Sequence, residues 1–139
     1  MKSQITILAT VFTLLCSCAS LFGQKHYQLT EKDSGQILQL DKGDTFTVLL
    51  PSNPTTGFSW EFSEPLHDKN VMILRGDEYI RPNEQLCGAP GKRSLTFLAE
   101  GSGRTKLKLV YRRPWEKDKQ PAEKFKVTVV VKDGTKSEQ

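Results

Sequence analysis

The chain has 139 residues and a mass of 15.7 kDa, which is enough for one ordinary domain. Hydrophobic residues make up 37% of it and charged residues 26%, and its 10 Gly and 7 Pro follow no repeat, so disordered, fibrous and polytopic membrane proteins are disfavoured. The net charge of +4 comes from 20 basic and 16 acidic residues interspersed along the chain, which argues against a nucleic-acid partner.

The N-terminal segment predicts export. An uncharged run from Ile5 to Cys16 follows a positive N-terminus, and its length suits a signal peptide but is too short to span a bilayer. We assign residues 1–20 to this leader, with cleavage between residues 17 and 23. Two interpretations stay open. The mature protein is either soluble, in a secreted or periplasmic location, or a membrane-anchored lipoprotein, because Leu15 to Cys18 resembles a bacterial lipobox in which Cys18 is lipidated.

Removal of the leader takes away Cys16 and, unless Cys18 is lipidated, Cys18 as well, which leaves Cys87 as the lone free cysteine of the mature chain. No internal disulfide can then form, so a hydrophobic core must stabilise the domain. Neither His26 nor His67 has a discernible link to Cys87, and the sequence shows no paired-carboxylate spacing of the kind used in catalysis and no His/Cys cluster. We therefore expect a protein that is not an enzyme and binds no metal or other cofactor.

Short blocks of period-two alternation predict an all-β fold. Thr45 to Leu50 places Phe46, Val48 and Leu50 on one face. Similar blocks lie at 58–62, 93–99, 107–112 and 124–131, together with an apolar run at 71–74 and a block at 36–40 whose inward face is ambiguous. Seven or eight short strands with regularly spaced turns predict a two-sheet β-sandwich over residues 24–132, followed by a polar C-terminal tail over residues 133–139.

Two turns are predicted to close hairpins. Asp41 to Asp44 and Glu100 to Gly103 combine Gly with Asp, Ser or Glu, residues that suit tight reversals. Gly101 and Gly103 have the spacing of part of a phosphate-binding loop, but no helix follows them to bind a phosphate, so we interpret the segment as a turn.

The segment from Asn53 to Gly57 is the first of three loops with more than connector character. Pro54 fixes its own φ and restricts the residue before it, Thr55 and Thr56 are stiff at χ1, and Gly57 permits a sharp return. Such a loop projects rigidly with an uncharged tip, which reduces the entropy lost on binding. Taken alone, the same residues also suit a plain connector.

The other two loops follow later in the chain. Trp115 lies within a strongly charged segment, which suits either an exposed interface anchor or an indole folded back onto Arg112 or Arg113. Gly88 to Gly91 allows close backbone approach to a partner, but it equally suits an ordinary flexible loop. Trp60 differs from Trp115, because its alternation with Phe58 and Phe62 predicts core packing.

Together the three loops carry a resemblance to a known family. Asn-Pro-Thr-Thr-Gly-Phe-Ser-Trp at 53–60, the Gly-containing loop at 88–91 and Arg-Pro-Trp at 113–115 resemble the motifs of the chagasin-type inhibitors of papain-family cysteine peptidases, in order and in spacing. The resemblance extends from about Gln36 to Val131. It is weakest in the middle loop, where the family often has Gly-x-Gly-Gly and this chain has Pro90 at the third place.

The resemblance implies an immunoglobulin-like sandwich that acts as a monomer and reversibly plugs the active-site cleft of a peptidase of the producer or of a host. It places Thr55 and Thr56 over the catalytic Cys-His pair, Trp115 on the primed side with Arg113 as a hydrogen-bond donor, and residues 88–91 on the unprimed side. It implies no nucleic acid as a partner, and a membrane only through the lipid anchor. The residues implied in peptidase binding are Asn53, Pro54, Thr55, Thr56, Gly57, Phe58, Gly88, Ala89, Pro90, Gly91, Arg113, Pro114 and Trp115. The alternative is an exported adhesion or ligand-binding sandwich without inhibitory activity.

Overall fold

The computed structural model describes residues 23–66, 68–83 and 90–134. The predicted leader with Cys18, most of the predicted C-terminal tail, Cys87, and the loop residues Gly88 and Ala89 lie outside these ranges. Within the described ranges, no helix is long and apolar enough to cross a membrane.

Eight strands form two four-stranded sheets, and the all-β, immunoglobulin-like sandwich predicted from the sequence is confirmed. The strands are β1 (His26–Thr30), β2 (Ile37–Asp41), β3 (Thr45–Ser52), β4 (Ser59–Phe62), β5 (Met72–Ile80), β6 (Gly91–Ala99), β7 (Gly103–Arg112) and β8 (Glu123–Lys132). The first sheet has the strand order β1-β3-β6-β5 and the second β2-β8-β7-β4. The β1–β3 and β2–β8 pairs are parallel, and the other pairs are antiparallel.

The core lies between the sheets and follows the predicted alternation. Phe46, Val48 and Leu50 of β3 are each 0% exposed. Phe46 stacks on Phe97 of β6 with ring centroids 5.0 Å apart. Alternating residues of β7 and β8 complete the core from the second sheet, since each strand presents every second side chain to the same face. The alternation pattern does not predict strand β1, because Leu29 is the only buried residue of that strand.

The two turns predicted to close hairpins connect different sheets instead, so that prediction is wrong. Asp41 to Asp44 leads from β2 to β3, and Glu100 to Gly103 leads from β6 to β7; each turn joins one sheet to the other. Gly43 and Gly103 do have positive φ angles, of 95° and 148°, as such reversals require. Turn residues specify the local change of direction, whereas the packing of the buried rows determines which strands pair.

Three connections lie at one end of the sandwich. The register pairs Ser52 with Gly91, Ile80 with Lys92 and Ser59 with Arg112. The connections that join these strand ends are residues 53–58 (the first loop), 81–90 (the second loop) and 113–122 (the third loop). We call this end the loop pole, and it contains all the described residues of the three predicted binding loops.

The opposite end, the far pole, contains the outer strand ends. β1 begins at His26, which is in register with Thr45 at the start of β3. β8 ends near Gly103, the first residue of β7, which is in register with Val131. Because β3 runs toward the loop pole and β7 starts away from it, the chain enters β1 and leaves β8 at the far pole.

Candidate functional site

The tip of the first loop is a short 3₁₀ turn over Pro54–Thr56 that its own side chains hold in place. The Thr55 hydroxyl donates to Asn53 Oδ1 at 2.6 Å, and the Thr56 hydroxyl donates to the Asn53 carbonyl at 2.7 Å. Gly57 ends the turn in the left-handed region with a φ of 81°. Pro54, Thr55 and Thr56 are exposed, so the loop presents an uncharged and internally hydrogen-bonded tip.

Tyr111 of β7 contacts both ends of the first loop and holds it against the sandwich. Its hydroxyl accepts a hydrogen bond of 3.0 Å from the Asn53 backbone N–H. Its ring lies between Phe58 and Trp60, with centroid distances of 5.3 Å and 5.1 Å. Aromatic pairs at such distances are stabilising beyond their buried area. The alternating block at 107–112 predicts only that Tyr111 lies in a strand, and the structure shows that this residue also fixes the start of the first loop.

Trp60 ties the two sheets together next to the loop pole. It is 2% exposed, which confirms the predicted core position. Its indole N–H donates a hydrogen bond of 2.9 Å to the Pro51 carbonyl of β3. Its own carbonyl accepts a hydrogen bond of 2.6 Å from Arg93 Nη1 of β6. Both partners lie in the other sheet, so the strand that follows the first loop cannot shift without breaking these bonds.

The third loop packs directly on the first. Arg113 Nε donates to the Thr56 carbonyl at 3.1 Å, and the guanidinium carbon lies 4.7 Å from the centroid of the Phe58 ring. The Trp115 indole lies against Gly57, where an added Cβ would be 2.6 Å from Trp115 Cη2. Trp115 is nevertheless 71% exposed. The indole therefore rests on the first loop with most of its surface open, while the arginine stacks on Phe58.

A turn of charged residues sets the direction of the third loop. The Glu116 N–H donates to the Arg113 carbonyl at 2.9 Å, across Pro114 and Trp115. The Glu116 carboxylate accepts a hydrogen bond from Lys119 Nζ at 3.0 Å and lies 3.6 Å from Arg113 Nη1. The hydrogen bond from Lys119 and the positive charge of Arg113 lower the pKa of Glu116. These contacts keep the arginine beside the first loop.

The second loop is described only at its two ends. Pro90 is exposed, whereas Gly91 is buried beneath Tyr79, and an added Cβ at Gly91 would lie 2.6 Å from the Ile80 carbonyl oxygen. Tyr79 and Ile80 themselves are 41% and 45% exposed. They are not among the residues predicted to bind, although two consecutive large apolar side chains at a strand end next to a candidate loop are a usable signal.

An ion pair connects the second loop's strands to Trp60. Arg93 donates from Nε and Nη2 to the two carboxylate oxygens of Asp77, at 2.8 Å and 2.7 Å. These hydrogen bonds lower the pKa of the Asp77 carboxyl below its ordinary value of 3.8, and they raise that of Arg93. Since the remaining guanidinium nitrogen of Arg93, Nη1, donates to the Trp60 carbonyl, this one side chain of β6 connects β5 and β4.

The site thus consists of one surface built from the first and third loops, with Pro90 and Gly91 at the same pole. Its chemistry is that of binding, because the exposed tip carries hydroxyl, methyl and indole groups. Among residues 23–66, 68–83 and 90–134, no group of His, Cys, Asp and Glu side chains is placed to hold a metal ion.

Comparison with known sequences places this architecture among peptidase inhibitors. The model of the chagasin family of peptidase inhibitors matches residues 39–129. Chagasin of Trypanosoma cruzi is 30% identical over 103 residues, which cover 73% of this chain and 94% of that protein. Amoebiasin-2 of Entamoeba histolytica is 32% identical over 123 residues, which cover 87% of this chain and 95% of its own.

Comparison with solved structures agrees. The crystal structure of a cysteine protease inhibitor from Entamoeba histolytica superposes with a TM-score of 0.67 at 29% identity and covers 79% of this chain and 98% of that one. The solution structure of amebosin gives a TM-score of 0.58 at 29% identity, with coverage of 77% and 98%.

Replacing Gly57 with alanine tests the contact between the first and third loops. Gly57→Ala and the control Gly35→Ala both place a Cβ on left-handed backbone, since Gly35 has a φ of 92°, and each should lower the free energy of unfolding by about 1–2 kcal/mol. Only the Cβ at position 57 meets Trp115, because nothing lies within 4 Å of a Cβ at position 35. We expect the NMR resonance of the Trp115 indole N–H to move in Gly57→Ala alone; an unmoved resonance would contradict the packing described.

Replacing Asp77 with asparagine tests the ion pair with Arg93. The pKa of Asp77 is lowered in the folded state, so its stabilising contribution is present above its ordinary value of 3.8 and is lost as the pH falls through the lower folded value. In urea titrations at decreasing pH, Asp77→Asn should therefore lose less stability below about pH 4 than the unsubstituted protein. Asp118→Asn is the control, because Asp118 is exposed and forms no ion pair within the described chain. Identical acid slopes for all three proteins would rule out the linkage.

Proposed function

The chain belongs to the chagasin family of peptidase inhibitors and is accordingly an inhibitor of papain-like cysteine peptidases rather than an enzyme, and we propose that its loop pole is the surface that fills the peptidase cleft. The proposal concerns which residues make the contact and how. It assigns the first loop to the centre of the wedge, the third loop to one side and the second loop to the other.

The contact between Gly57 and Trp115 is the observation that carries this proposal. Together with the hydrogen bond from Arg113 to the Thr56 carbonyl, it joins two loops far apart in sequence into one preformed surface. A preformed surface loses little conformational entropy on binding, so more of the contact energy appears as affinity. Complexes of proteases with protein inhibitors typically bury about 1,600 Å² in total, an area within reach of three neighbouring loops.

The tip of the first loop suits the centre of a catalytic cleft. Both threonine hydroxyls already have acceptors on Asn53, so burial of the tip leaves neither hydroxyl unpaired and no charge to desolvate. The tip carries no group that must react, and inhibition is reversible steric blockade. In this arrangement Thr55 and Thr56 face the catalytic Cys-His pair of the enzyme.

Trp115 supplies the aromatic anchor on the primed side. Its exposed indole offers a large apolar area held in position by Gly57, a combination typical of interface hot spots. Arg113 has a double role in this proposal, because its Nε holds the first loop while its guanidinium edge lies next to the interface. Residues 88–91 approach the unprimed side.

We further propose that the protein is exported and acts as a monomer, with residues 1–20 as the leader, residues 24–132 as the inhibitor domain and residues 133–139 as a polar tail. The uncharged run of the leader and the small residues after it support export, and the lipobox-like Leu15 to Cys18 supports a lipid anchor as the alternative to a soluble form. Mass spectrometry of the native N-terminus separates the two, since a lipidated Cys18 would be the first residue.

Titration of active-site-counted papain with the purified protein tests the inhibitory function. Stoichiometric loss of peptide hydrolysis is the expected result. Undiminished hydrolysis at a large excess of the protein would remove papain-like peptidases as targets and leave a binding module.

Removing the indole of Trp115 should weaken inhibition without unfolding the protein. We expect Trp115→Ala to reduce the binding free energy by about 2 kcal/mol, a roughly 30-fold rise in the inhibition constant, as is typical of a central aromatic anchor. Ile37→Ala is the matched control, because Ile37 is also large, apolar and exposed, at 58%, but lies on β2 away from the loop pole. Equal inhibition constants for both variants would place Trp115 outside the interface.

A charge at the tip of the first loop should prevent insertion. Thr55→Asp introduces a carboxylate that would be buried unpaired beside the catalytic thiolate, so we expect the inhibition constant to rise by far more than in Thr55→Asn, which has nearly the same shape and no charge. Inhibition constants are measured for both against one peptidase. If the two variants inhibit equally well, the first loop does not enter the cleft.

A further inference from the structure

The outward face of the second sheet is basic along its two central strands. Over most of their length β7 and β8 alternate buried and outward residues, and the outward rows contain no acidic residue; Glu123, the first residue of β8, is exposed but does not belong to its outward row. Because successive outward residues on a strand are about 7 Å apart and neighbouring strands about 5 Å apart, these side chains form a compact lattice of positive charge. The outward basic residues are Arg104, Lys106, Lys108 and Arg112 on β7 and Lys124, Lys126 and Lys132 on β8.

The fold leaves much of this charge uncompensated. Lys108 lies directly opposite Lys126 in the β7–β8 register, an arrangement of like charges that destabilises a sheet. Lys108 is paired with Glu64 at 2.8 Å and Arg112 with Glu61 at 3.1 Å, but Lys106, Lys124 and Lys126 form no ion pair with any described residue. The loop pole does not use them, since they lie on the side of the sandwich. Several lysines without an acidic partner on one sheet face are a local conflict of the kind found at functional surfaces.

An apolar side chain lies beside the lysines. Ile37 of β2 is in register with Thr128 of β8, and Thr128 with Lys106 of β7, so the three residues form one row across the sheet. Ile37 is 58% exposed. A shallow cavity of about 240 Å³ lies next to this row. It is lined by Gly35, Gln36, Lys106, Lys108, Lys126, Val127 and Thr128.

We propose that this basic face, defined by Lys106, Lys108, Lys124 and Lys126 with Ile37 at its edge, docks on the surface of an anionic phospholipid bilayer. A broad sheet surface with several ammonium groups complements a plane of phosphate headgroups, and each lysine near such a surface adds to the affinity. The exposed isoleucine suits insertion at the boundary between headgroups and acyl chains. The cavity between the lysines offers room for a headgroup phosphate.

The surface favours a bilayer over a soluble polyanion. The basic lattice covers two adjacent strands and borders the exposed side chain of Ile37, which the acyl region of a bilayer can bury and a soluble polyanion cannot. Docking of this face also leaves the inhibitory surface accessible, because the three loops project from the ends of the strands. The inference thus goes beyond inhibition and does not depend on it.

Vesicle binding by the purified protein tests the proposal. We expect the protein to sediment with vesicles made of equal parts of phosphatidylcholine and phosphatidylglycerol, to bind more weakly as salt rises, and not to sediment with phosphatidylcholine alone. Since one lysine changes the partition coefficient by about 5-fold, Lys106→Gln with Lys126→Gln should reduce it by about 25-fold. Lys25→Gln with Lys69→Gln removes the same charge from exposed positions elsewhere and should change it by less than about 5-fold.

Two further measurements complete the test. Ile37→Ser should reduce binding to the anionic vesicles several-fold, and all variants should retain their inhibition of papain, which separates this proposal from the inhibitory function. Equal losses in the two double variants would show that only net charge matters and would overturn the proposal. So would absence of binding to the anionic vesicles, or binding to a soluble polyphosphate without binding to vesicles.

Discussion

The side chain of Tyr111 is the contact on which the loop pole depends. Its ring lies between Phe58 and Trp60, and its hydroxyl fixes the backbone of Asn53 at the start of the first loop. Trp60 in turn bonds to the opposite sheet through Pro51 and Arg93. The loop therefore rests on a set of aromatic and hydrogen-bonded contacts that spans both sheets. Its shape is determined before any partner arrives, which is the physical condition for a rigid wedge.

Much of the fold follows from alternation, which the sequence displays directly. Phe46, Val48 and Leu50 predicted an inward row, and all three are fully buried. The pairing of the strands does not follow from alternation. Asp41 to Asp44 contains the residues of a hairpin turn, yet the turn crosses between sheets, because β2 pairs with β8 in one sheet while β3 pairs with β1 and β6 in the other. Which strands pair depends on the whole core, and no short segment records it.

The candidate site was predictable where it consists of contiguous motifs and not where it depends on distant contacts. Asn53 to Phe58 and Arg113 to Trp115 stand out in the sequence by their proline, glycine and aromatic residues. The bond between Asn53 and Tyr111 joins residues 58 positions apart and has no local signature. The basic face of β7 and β8 is likewise not visible in any short segment. Its lysines are interspersed with apolar residues along the chain, and only the strand geometry places them on one face.

The positions of the outer strand ends have a consequence for attachment. The chain enters β1 and leaves β8 at the far pole, about as distant from the three loops as the sandwich allows. An acyl chain, a linker or another folded module joined upstream of His26 or downstream of Lys132 would therefore be attached at the far pole. The three loops then point away from the attachment, so tethering leaves the inhibitory surface accessible to an enzyme in solution.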